Sequence, residues 1–386
     1  MLPLTYVSLF SSAGIGCYGF KMEGFDCVAT NELLSRRLAI QRCNQKCKYE
    51  SGYIAGDILL NETRDEILSQ MDLWKQREDL QELTVLIATP PCQGMSVANH
   101  KKKDENKRNS LVVASLSLIK TIKPRYFILE NVKTFLNTLC TDLDGKDKRI
   151  RFAINDNLAN DYNIEYRVFN FKNYGSNSSR TRTLIIGVRK DIKVNAASLY
   201  PQYRNEPTLR QIICNLPRLT QMGEIDPTDI YHSFRSYNPE MRRWIENLKE
   251  GEGAFDNSDE SRLPHYYRNG IKIFSKNGNA DKYTRQCWDK VPPCVHTRND
   301  ILASQNTVHP VDDRVFSIRE LMRMMSIPEE FKWTDNTLDE LNGLSLEEKR
   351  KYLCQNDINI RQSIGEAVPT EIFRQIAHSI KQEESK

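Results

Sequence analysis

The sequence predicts an α/β protein built on a mainly parallel β-sheet with helices on both faces. Three features of its 386 residues support this prediction. Short apolar runs alternate with helical patterns over roughly the first half of the chain. A glycine-rich turn joins the first apolar run to the pattern that follows it. Beyond about residue 195 the composition becomes polar and irregular, which indicates a second, smaller domain.

The apolar runs have the length and composition of buried strands. They lie, in chain order, at 6–10, 25–30, 84–90, 126–132, 165–171 and 182–188. Residues 32–44 and 109–122 have helical patterns between them. Strands that are apolar almost throughout and alternate with helices are typical of parallel sheets covered on both faces. Such sheets bind ligands at the carboxyl ends of their strands, so the residues that follow each run are candidate site residues.

The chain is longer than the ~250–300 residues at which a single hydrophobic core stops growing, so we expect two domains. The stretch 196–314 is rich in Tyr, Asn, Arg and Pro, and no regular structure is predicted for segments such as 251–270. Apolar helical patterns resume at 316–325 and 369–382. We therefore predict two domains. The first comprises residues 1–195 and 315–386, and the second comprises residues 196–314.

The composition excludes several classes of protein. No segment approaches the ~20 apolar residues that span a bilayer, and the N-terminal residues lack the basic region of a secretory signal, so we expect a cytoplasmic chain without membrane contact. The ten cysteines are scattered, which favours reduced thiols. Cys43 and Cys47 have no second Cys or His pair at metal-ligand spacing, so we expect no metal. The net charge of +4 permits a nucleic-acid partner without requiring one.

The turn SLFSSAGIGCYGF, residues 8–20, is the first candidate site. Gly14, Gly16 and Gly19 fit the pattern G-x-G-x-x-G, in which backbone N–H groups lie against a nucleotide at a helix N-terminus. Close packing of the helix is the alternative reason for these glycines. Glu32 ends the second apolar run, where a carboxylate can accept both hydroxyls of a ribose. NAD and S-adenosylmethionine both carry that ribose, so the turn alone does not choose between them.

Two further strand ends carry groups suited to chemistry. Pro90 and Pro91 stiffen the turn before Cys92, so that its thiol stands on a rigid loop at a strand's carboxyl edge, a place suited to a nucleophile. Glu130 and Asn131 end the next run. A carboxylic acid beside a thiolate has no evident role in a nicotinamide site. It has one in attack on a pyrimidine, whose C6 becomes electrophilic when an acid protonates or hydrogen-bonds N3.

Together these motifs resemble the DNA cytosine-5 methyltransferases of bacterial restriction-modification systems. The resemblance rests on motifs that occur in the family's order along most of the chain: FSSAGIGCYGF, GDI, PPCQ, ENV, YGSNSSRTRTLIIGV, RVFSIRELMRMMSIP and RQSIGEAVP. It implies a Rossmann-like methyltransferase sheet, S-adenosylmethionine as cofactor, and double-stranded DNA whose target cytosine is flipped out of the duplex. It also implies that 196–314 is a target recognition domain, that the chain acts as a monomer, and that a cognate restriction endonuclease acts separately.

The resemblance assigns roles to individual residues. It implies that Cys92 adds to C6 of the cytosine and that Glu130 supports N3 and the exocyclic amine. Arg182 would hold the cytosine O2, and Arg180 would fix the loop and the phosphates. The basic segment 100–108, HKKKDENKR, stands where the family has a loop that closes over DNA. The residues expected at the cofactor are Phe10, Ala13, Gly14, Ile15, Gly16, Glu32, Asp57, Ile58, Pro90, Leu111 and Ala367.

Several positions depart from the family's pattern. Ser8 stands where the family usually has an acidic residue, and Pro90 stands where it has Phe. Asn177 and Ser178 replace a Pro-Gln pair ahead of the two arginines, and Glu366 replaces an Asn in the closing motif. No role in the site is assigned to Ser178 or Glu366.

Other classes of protein explain fewer of these residues. A methyltransferase acting on exocyclic amines would need an aromatic residue in place of Cys92. Transfer-RNA cytosine methyltransferases share PPCQ and ENV, but their Cys-Phe-Thr motif is absent from this sequence. A DNA-binding relative without activity is expected to have lost Cys92 or Glu130. A dinucleotide-dependent oxidoreductase accounts only for the glycines and Glu32.

Overall fold

A computed structural model describes residues 3–91, 105–276 and 281–386 of the chain. The chain divides into two compact units. The first unit comprises Met1–Tyr174, Arg180–Tyr203 and Val368–Lys386, and the second comprises Gly175–Ser179 and Arg204–Ala367.

The first unit confirms the predicted fold class. Its strands are β1 (Thr5–Leu9), β2 (Asp26–Glu32), β3 (Tyr53–Ala55), β4 (Val85–Ala88), β5 (Tyr126–Val132), β6 (Leu139–Thr141), β7 (Asp147–Arg149), β8 (Tyr162–Asn170) and β9 (Thr181–Arg189). Within the described residues, seven of them form one sheet in the order β3-β2-β1-β4-β5-β9-β8. The first five strands of that order are parallel, and β9 runs antiparallel to both of its neighbours. Each predicted apolar run forms a strand of this sheet.

The helices alternate with these strands as predicted. In chain order they are α1 (Ile15–Met22), α2 (Ser35–Cys43), α3 (Asn61–Glu78), α4 (Glu105–Ile122), α5 (Ile150–Leu158), α6 (Leu209–Ile213), α7 (Pro239–Arg243), α8 (Ile318–Met324), α9 (Leu338–Asn342), α10 (Leu346–Glu366) and α11 (Thr370–Glu384). Across the described part of the chain, every helix is too short or too polar to cross a bilayer.

Helices cover both faces of the sheet, because successive strand residues point to opposite sides. In β4, Leu86 belongs to a buried cluster with residues of α3, α4 and α5. Its neighbours Val85 and Ile87 belong to a second cluster with residues of α1, α2 and α11. The strands are therefore apolar on both faces, which is why their sequences show continuous apolar runs.

The strand order reverses between β1 and β4. From β1 the chain adds β2 and β3 on one side, and then adds β4 and β5 on the other. At such a reversal the loops after the two central strands diverge, and the crevice between them is the usual ligand site of an open α/β sheet. The glycine turn follows β1 and the double proline follows β4.

The second unit has its own core and a small amount of regular structure. Trp244, Ile245, Leu302 and Val308 are among the residues of its buried cluster. A hairpin of β10 (His265–Arg268) and β11 (Ile271–Phe274) lies partly in the stretch for which no regular structure was predicted. The unit extends to residue 367 rather than 314, because α8 packs against α6 and α10. The functional boundaries at 195 and 315 stay a prediction.

Two glycines of the first turn are explained by helix packing. A Cβ on Gly19 would lie 2.5 Å from the backbone nitrogen of Arg374 in α11. A Cβ on Gly16 would lie 3.1 Å from the ring of Phe373 and 3.2 Å from Cβ of Val368. Gly14 differs, because its φ of 79° is in the left-handed region. Glycine at 16 and 19 thus lets α1 approach α11 closely.

We expect Gly19→Ala to lower the thermal stability of the protein. In a helix interior, Ala is favoured over Gly by about 1 kcal/mol. The contact with the backbone of α11 outweighs that gain, since overpacking costs about 1–3 kcal/mol and backbone atoms cannot move aside. Gly343→Ala is the control, because an added Cβ there meets nothing closer than 3.4 Å. Thermal unfolding measures both, and a Gly19→Ala protein as stable as wild type would contradict the packing explanation.

Candidate active site

The glycine turn after β1 has a strained backbone. Phe10 has a φ of 57° and Ser12 a φ of 46°, although neither is glycine. Left-handed conformations at such residues cost about 1–3 kcal/mol each and persist only where the surroundings impose them. The N–H of Gly14 donates to the carbonyl of Ser11 at 2.8 Å, and α1 begins at the next residue. The turn therefore has a fixed shape at a helix N-terminus, where backbone N–H groups favour a polar ligand.

Gln41 of α2 holds this turn in place through hydrogen bonds of its side-chain amide. Its Nε2 donates to the carbonyl of Ser12 at 2.6 Å and to Oγ of Ser11 at 2.9 Å. Its Oε1 accepts from Oγ1 of Thr30 at 2.8 Å. An added Cβ at Gly14 would lie 3.0 Å from Cγ of Gln41, so glycine is required here by both space and φ. The sequence does not predict this role, because the position of Gln41 in a helical pattern gives no sign of a contact with the turn.

Lys46 extends the network beneath the turn. Its buried ammonium donates to Oγ of Ser8 at 2.7 Å and to Oγ1 of Thr30 at 2.8 Å. Ser8 is the position at which the resemblance leads one to expect an acidic residue. Two hydroxyl oxygens thus solvate the buried cation, and within the described residues no carboxylate lies within ion-pair distance of it.

Glu32 and Asp57, the two acidic residues expected at the cofactor, lie at adjoining strand ends. Glu32 is the last residue of β2 and pairs with Ala55 of β3. Its Oε2 accepts from the N–H of Ser12 at 2.8 Å, and its Oε1 accepts from the N–H of Leu34 at 3.2 Å. Asp57 follows β3, and its Oδ1 accepts from the N–H of Leu59 at 3.0 Å. Since a carboxylate has about four lone-pair positions, each group keeps acceptor capacity for ligand hydroxyls or amines.

The proline turn after β4 is tied to both neighbouring strand ends. The N–H of Thr89 donates to the carbonyl of Leu9 at 3.3 Å, and its Oγ1 donates to the carbonyl of Phe10 at 3.0 Å. From the other side, Nδ2 of Asn131 donates to the carbonyl of Pro90 at 2.9 Å. Cys92 itself lies outside the described residues, as do residues 100–104 of the basic segment. Residues 105–108 of that segment begin α4.

Glu130 and Arg182 meet because of the register between β5 and β9. Val132 pairs with Arg182, and Glu130 pairs with Leu184, so the four side chains share one face of the sheet. Nε of Arg182 lies 3.1 Å from Oε1 of Glu130. The two groups form an ion pair, and Oε1 accepts no well-aligned hydrogen bond from any of the described residues. A buried carboxyl oxygen without a donor is uncommon and indicates a group that meets its partner only with a ligand bound.

Burial controls the protonation of Glu130. Loss of water around the side chain raises its pKa above the ordinary value of 4.5, and the positive charges of Arg182 and Arg180 offset only part of this effect. The group therefore holds its proton at a higher pH than an exposed glutamate. A carboxyl group with a raised pKa is better suited to act as a general acid than an exposed one.

The residues before the arginines pack within the second unit. Oγ of Ser178 lies 3.6 Å from Sδ of Met325, and Nδ2 of Asn177 donates to the carbonyl of Arg323 at 2.8 Å. Asn177 and Ser178, which stand where the family has Pro-Gln, thus make packing contacts within the second unit. Arg180, in the first unit, is buried, and its backbone N–H donates to Oδ1 of Asn170 at 3.1 Å.

The remaining predicted cofactor residues divide between the two units. Ala13, Ile15 and Ile58 are buried in the first unit, and Leu111 packs against the cluster that covers one face of its sheet. Ala367 is buried at the end of α10 in the second unit. Their contacts with a cofactor stay a prediction.

Comparison with known proteins adds an independent finding. The family model described as C-5 cytosine-specific DNA methylase matches residues 4–382. Type II methyltransferase M1.HgaI of Avibacterium volantium is 31% identical over 389 residues, which cover 97% of each chain. Type II methyltransferase M1.HphI of Haemophilus parahaemolyticus is 24% identical over 382 residues, which cover 98% of this chain and 87% of that protein. A prophage-encoded methyltransferase of E. coli shares the fold, with a TM-score of 0.66, 16% identity and coverage of 99% of this chain and 100% of that one.

We expect Gln41→Leu to weaken binding of S-adenosylmethionine about tenfold, because the turn loses two hydrogen bonds that hold its shape. A lost hydrogen bond costs about 0.5–1.5 kcal/mol, and 1.4 kcal/mol is a factor of ten. Gln375→Leu is the matched control. Gln375 also joins two backbone groups, the carbonyl of Tyr174 and the N–H of Gln202, but does not contact the turn. Calorimetric titration measures both affinities. Equal affinities in the two variants would show that Gln41 does not shape the cofactor site.

We expect Glu130→Gln to be more stable than wild type at pH 8. Because the folded state raises the pKa of Glu130, it retains a proton that the unfolded chain has already released. Stability therefore falls as the pH rises from about 4.5 through the raised pKa, by about 1.4 kcal/mol for each unit of elevation. The amide variant avoids this loss, so its advantage shrinks towards pH 5.

Glu82→Gln is the control, for which we expect a change in stability of the opposite sign. Although burial alone would raise its pKa, hydrogen bonds from Arg189 and Arg125 hold the pKa of Glu82 below its ordinary value. That variant should be less stable than wild type at pH 8. Urea unfolding at several pH values measures both differences, and a Glu130→Gln protein that loses stability at pH 8 would mean that Glu130 is held as a carboxylate.

Proposed function

This chain belongs to the C-5 cytosine-specific DNA methylases, and from that membership we propose which of its residues hold the cofactor, the cytosine and the DNA. The observation that carries the proposal is the buried carboxyl of Glu130, whose Oε1 lies beside Arg182 and accepts no hydrogen bond from the described residues. It stands at the strand end next to the proline turn that leads to Cys92.

S-adenosylmethionine is the proposed methyl donor, and the first unit has groups that fit it. The carboxylate of Glu32 has acceptor capacity for the ribose hydroxyls, and Asp57 at the adjoining strand end has it for the adenine amine. The strained turn around Gly14 presents backbone to the remaining part of the molecule. When bound, the cofactor supplies an electrophilic methyl group.

Glu130 recognises the Watson–Crick edge of the flipped cytosine. The positive charge of Arg182, 3.1 Å from Oε1, favours the proton on Oε2. The acid then presents Oε2–H to N3, which is an acceptor, and Oε1 to the exocyclic amine, which is a donor. Donation to N3 withdraws electrons from the ring and makes C6 electrophilic.

Cys92 supplies the nucleophile. Its thiolate forms a bond to C6, and the electron pair of the C5–C6 double bond shifts to leave C5 nucleophilic. The methyl group that S-adenosylmethionine would supply leaves the sulfonium sulfur, with S-adenosylhomocysteine as the leaving group, and bonds to C5. A base then removes the C5 proton, the double bond re-forms and the thiolate leaves. Arg182 holds O2 of the base during these steps, and the tie between Asn131 and Pro90 fixes the turn that carries the thiol.

The stretch 196–314 is the proposed target recognition domain, and the basic segment 100–108 is proposed to close over the DNA. The stretch falls largely within the second compact unit, whose irregular loops carry Arg, Asn, Gln and Tyr side chains that can contact base edges. All the motifs of the reaction lie on one chain, so the monomer is the proposed active unit. Since its relatives are named as Type II methyltransferases, we assign it to DNA protection in the cytoplasm alongside a separate endonuclease.

We expect DNA carrying 5-fluorocytosine at the target to form a covalent adduct with wild type and not with Cys92→Ala, because fluorine at C5 cannot leave as a proton and blocks release of the thiol. Denaturing gel electrophoresis with S-adenosylmethionine measures the adduct. Glu130→Gln should form it slower by orders of magnitude, with each tenfold loss equal to about 1.4 kcal/mol of transition-state stabilisation.

The control is the affinity for S-adenosylmethionine, measured by calorimetry. In Cys92→Ala and Glu130→Gln it should stay within a few fold of the wild-type value. An adduct that persists in Cys92→Ala would place the nucleophile elsewhere. An unchanged rate in Glu130→Gln would mean that another donor activates the ring.

A further inference from the structure

The hairpin of β10 and β11 projects exposed apolar and basic side chains from the second unit. Tyr266 is 52% exposed, Tyr267 60% and Ile271 67%, which is unusual for large apolar residues. Arg268 and Lys272 are exposed as well, and neither has an ion-pair partner among the residues that the structure describes. The segment 265–274 contains no Asp or Glu.

The base of the hairpin is fixed to the core of its unit. His265 is buried, its ring centroid lies 5.3 Å from that of Trp244, and its Nε2 lies 2.8 Å from Oε1 of Glu240. The N–H of Ser275 donates to the carbonyl of Pro264 at 2.8 Å and closes the ladder. The exposed part of the hairpin is thus held in one orientation by its buried end.

The tip of the hairpin is narrow. Asn269 and Gly270 form a two-residue turn with φ values of 51° and 76°, which are the left-handed conformations of a type I′ turn. A Cβ added at Gly270 would meet no atom within 4 Å. Arg268 and Ile271 point to one face of the ribbon, and Tyr267 and Lys272 point to the other.

We propose that the hairpin 265–274 is a ribbon that enters the major groove of the substrate duplex and contacts base edges there. The major groove, about 12 Å wide, admits a two-stranded ribbon with side chains on both faces. Arg and Lys donate to N7 and O6 of guanine, and apolar side chains contact the methyl group of thymine. The positive charges of Arg268 and Lys272, the second of which lies 5.1 Å from the ring centroid of Phe274, complement the phosphates along the groove.

The alternative partner for the hairpin is a second copy of this chain. Among the described residues each strand of the hairpin pairs along one edge only, so the other edge can pair with another strand. Exposed Arg and Lys on both strands disfavour such pairing, because like charges would face each other across it. The proposal rests on the proposed function, in which the substrate is duplex DNA.

The test combines a protein variant with a change confined to the major groove. In the full chain, Arg268→Ala and Lys272→Ala are made together. The matched control is Arg350→Ala with Lys351→Ala, which removes the same charge from exposed positions on α10 of the same unit. The probe is a duplex that contains the methylated site, located by bisulfite sequencing, with each purine replaced in turn by its 7-deaza analogue. This replacement removes only the N7 acceptor. Fluorescence anisotropy gives the affinities, and sedimentation gives the oligomeric state.

We expect wild type and the control variant to lose about tenfold in affinity at one or more 7-deaza positions. The hairpin variant should bind the unmodified duplex more weakly and show no further loss at those positions. Unchanged thermal unfolding in both variants shows that the substitutions act at the surface.

A hairpin variant that keeps the full pattern of 7-deaza losses would overturn the proposal, and so would a wild-type dimer that the hairpin variant alone disrupts. In either case methyl transfer to DNA by wild type would show that the proposed function stands. Absence of any methyl transfer to DNA would instead refute the proposed function itself.

Discussion

The parallel pairing of β1 with β4 is the constraint on which the site depends. It places the loop after each strand at the same edge of the sheet, at the point where the strand order reverses. Thr89 then bonds to the carbonyls of both Leu9 and Phe10, so the glycine turn and the proline turn cannot move independently. The tie from Asn131 to Pro90 adds the end of β5 to the same assembly. One backbone and two side-chain hydrogen bonds thereby hold the glycine turn, the proline turn and the end of β5 together.

The site is locally unfavourable, and the surrounding structure maintains it. Phe10 and Ser12 have left-handed backbones, and the Lys46 amine is buried. Glu130 is a buried acid whose Oε1 accepts no hydrogen bond from the described residues. Each feature would relax in a looser structure. The two apolar clusters on the faces of the sheet, and the close contact of α1 with α11, supply the rigidity that prevents this. The raised pKa of Glu130 follows from its burial away from water, and the same dry surroundings strengthen any hydrogen bond that its carboxyl makes to a ligand.

The sequence predicted the sheet because strands buried on both faces have continuous apolar runs, and it predicted Glu32 and Glu130 because they end such runs. It did not predict the short strand β3, whose three residues are too few for a pattern. It did not predict Gln41 or Lys46 either, since their partners Ser12 and Ser8 lie about thirty or more positions away and only the fold brings them near. The ribbon at 265–274 was missed because its apolar side chains face solvent on both sides and resemble an irregular segment.

Glu130 is proposed to meet the cytosine as a neutral acid at the same edge of the sheet as the cofactor turn. A crystal structure of the protein with a duplex carrying 5-fluorocytosine, trapped by reaction with S-adenosylmethionine, shows whether it does. We expect the Glu130 carboxyl within about 3 Å of N3 and of the exocyclic amine, with C6 bonded to Cys92. A base whose N3 faces water or a backbone donor, while Glu130 remains paired only with Arg182, would contradict the account.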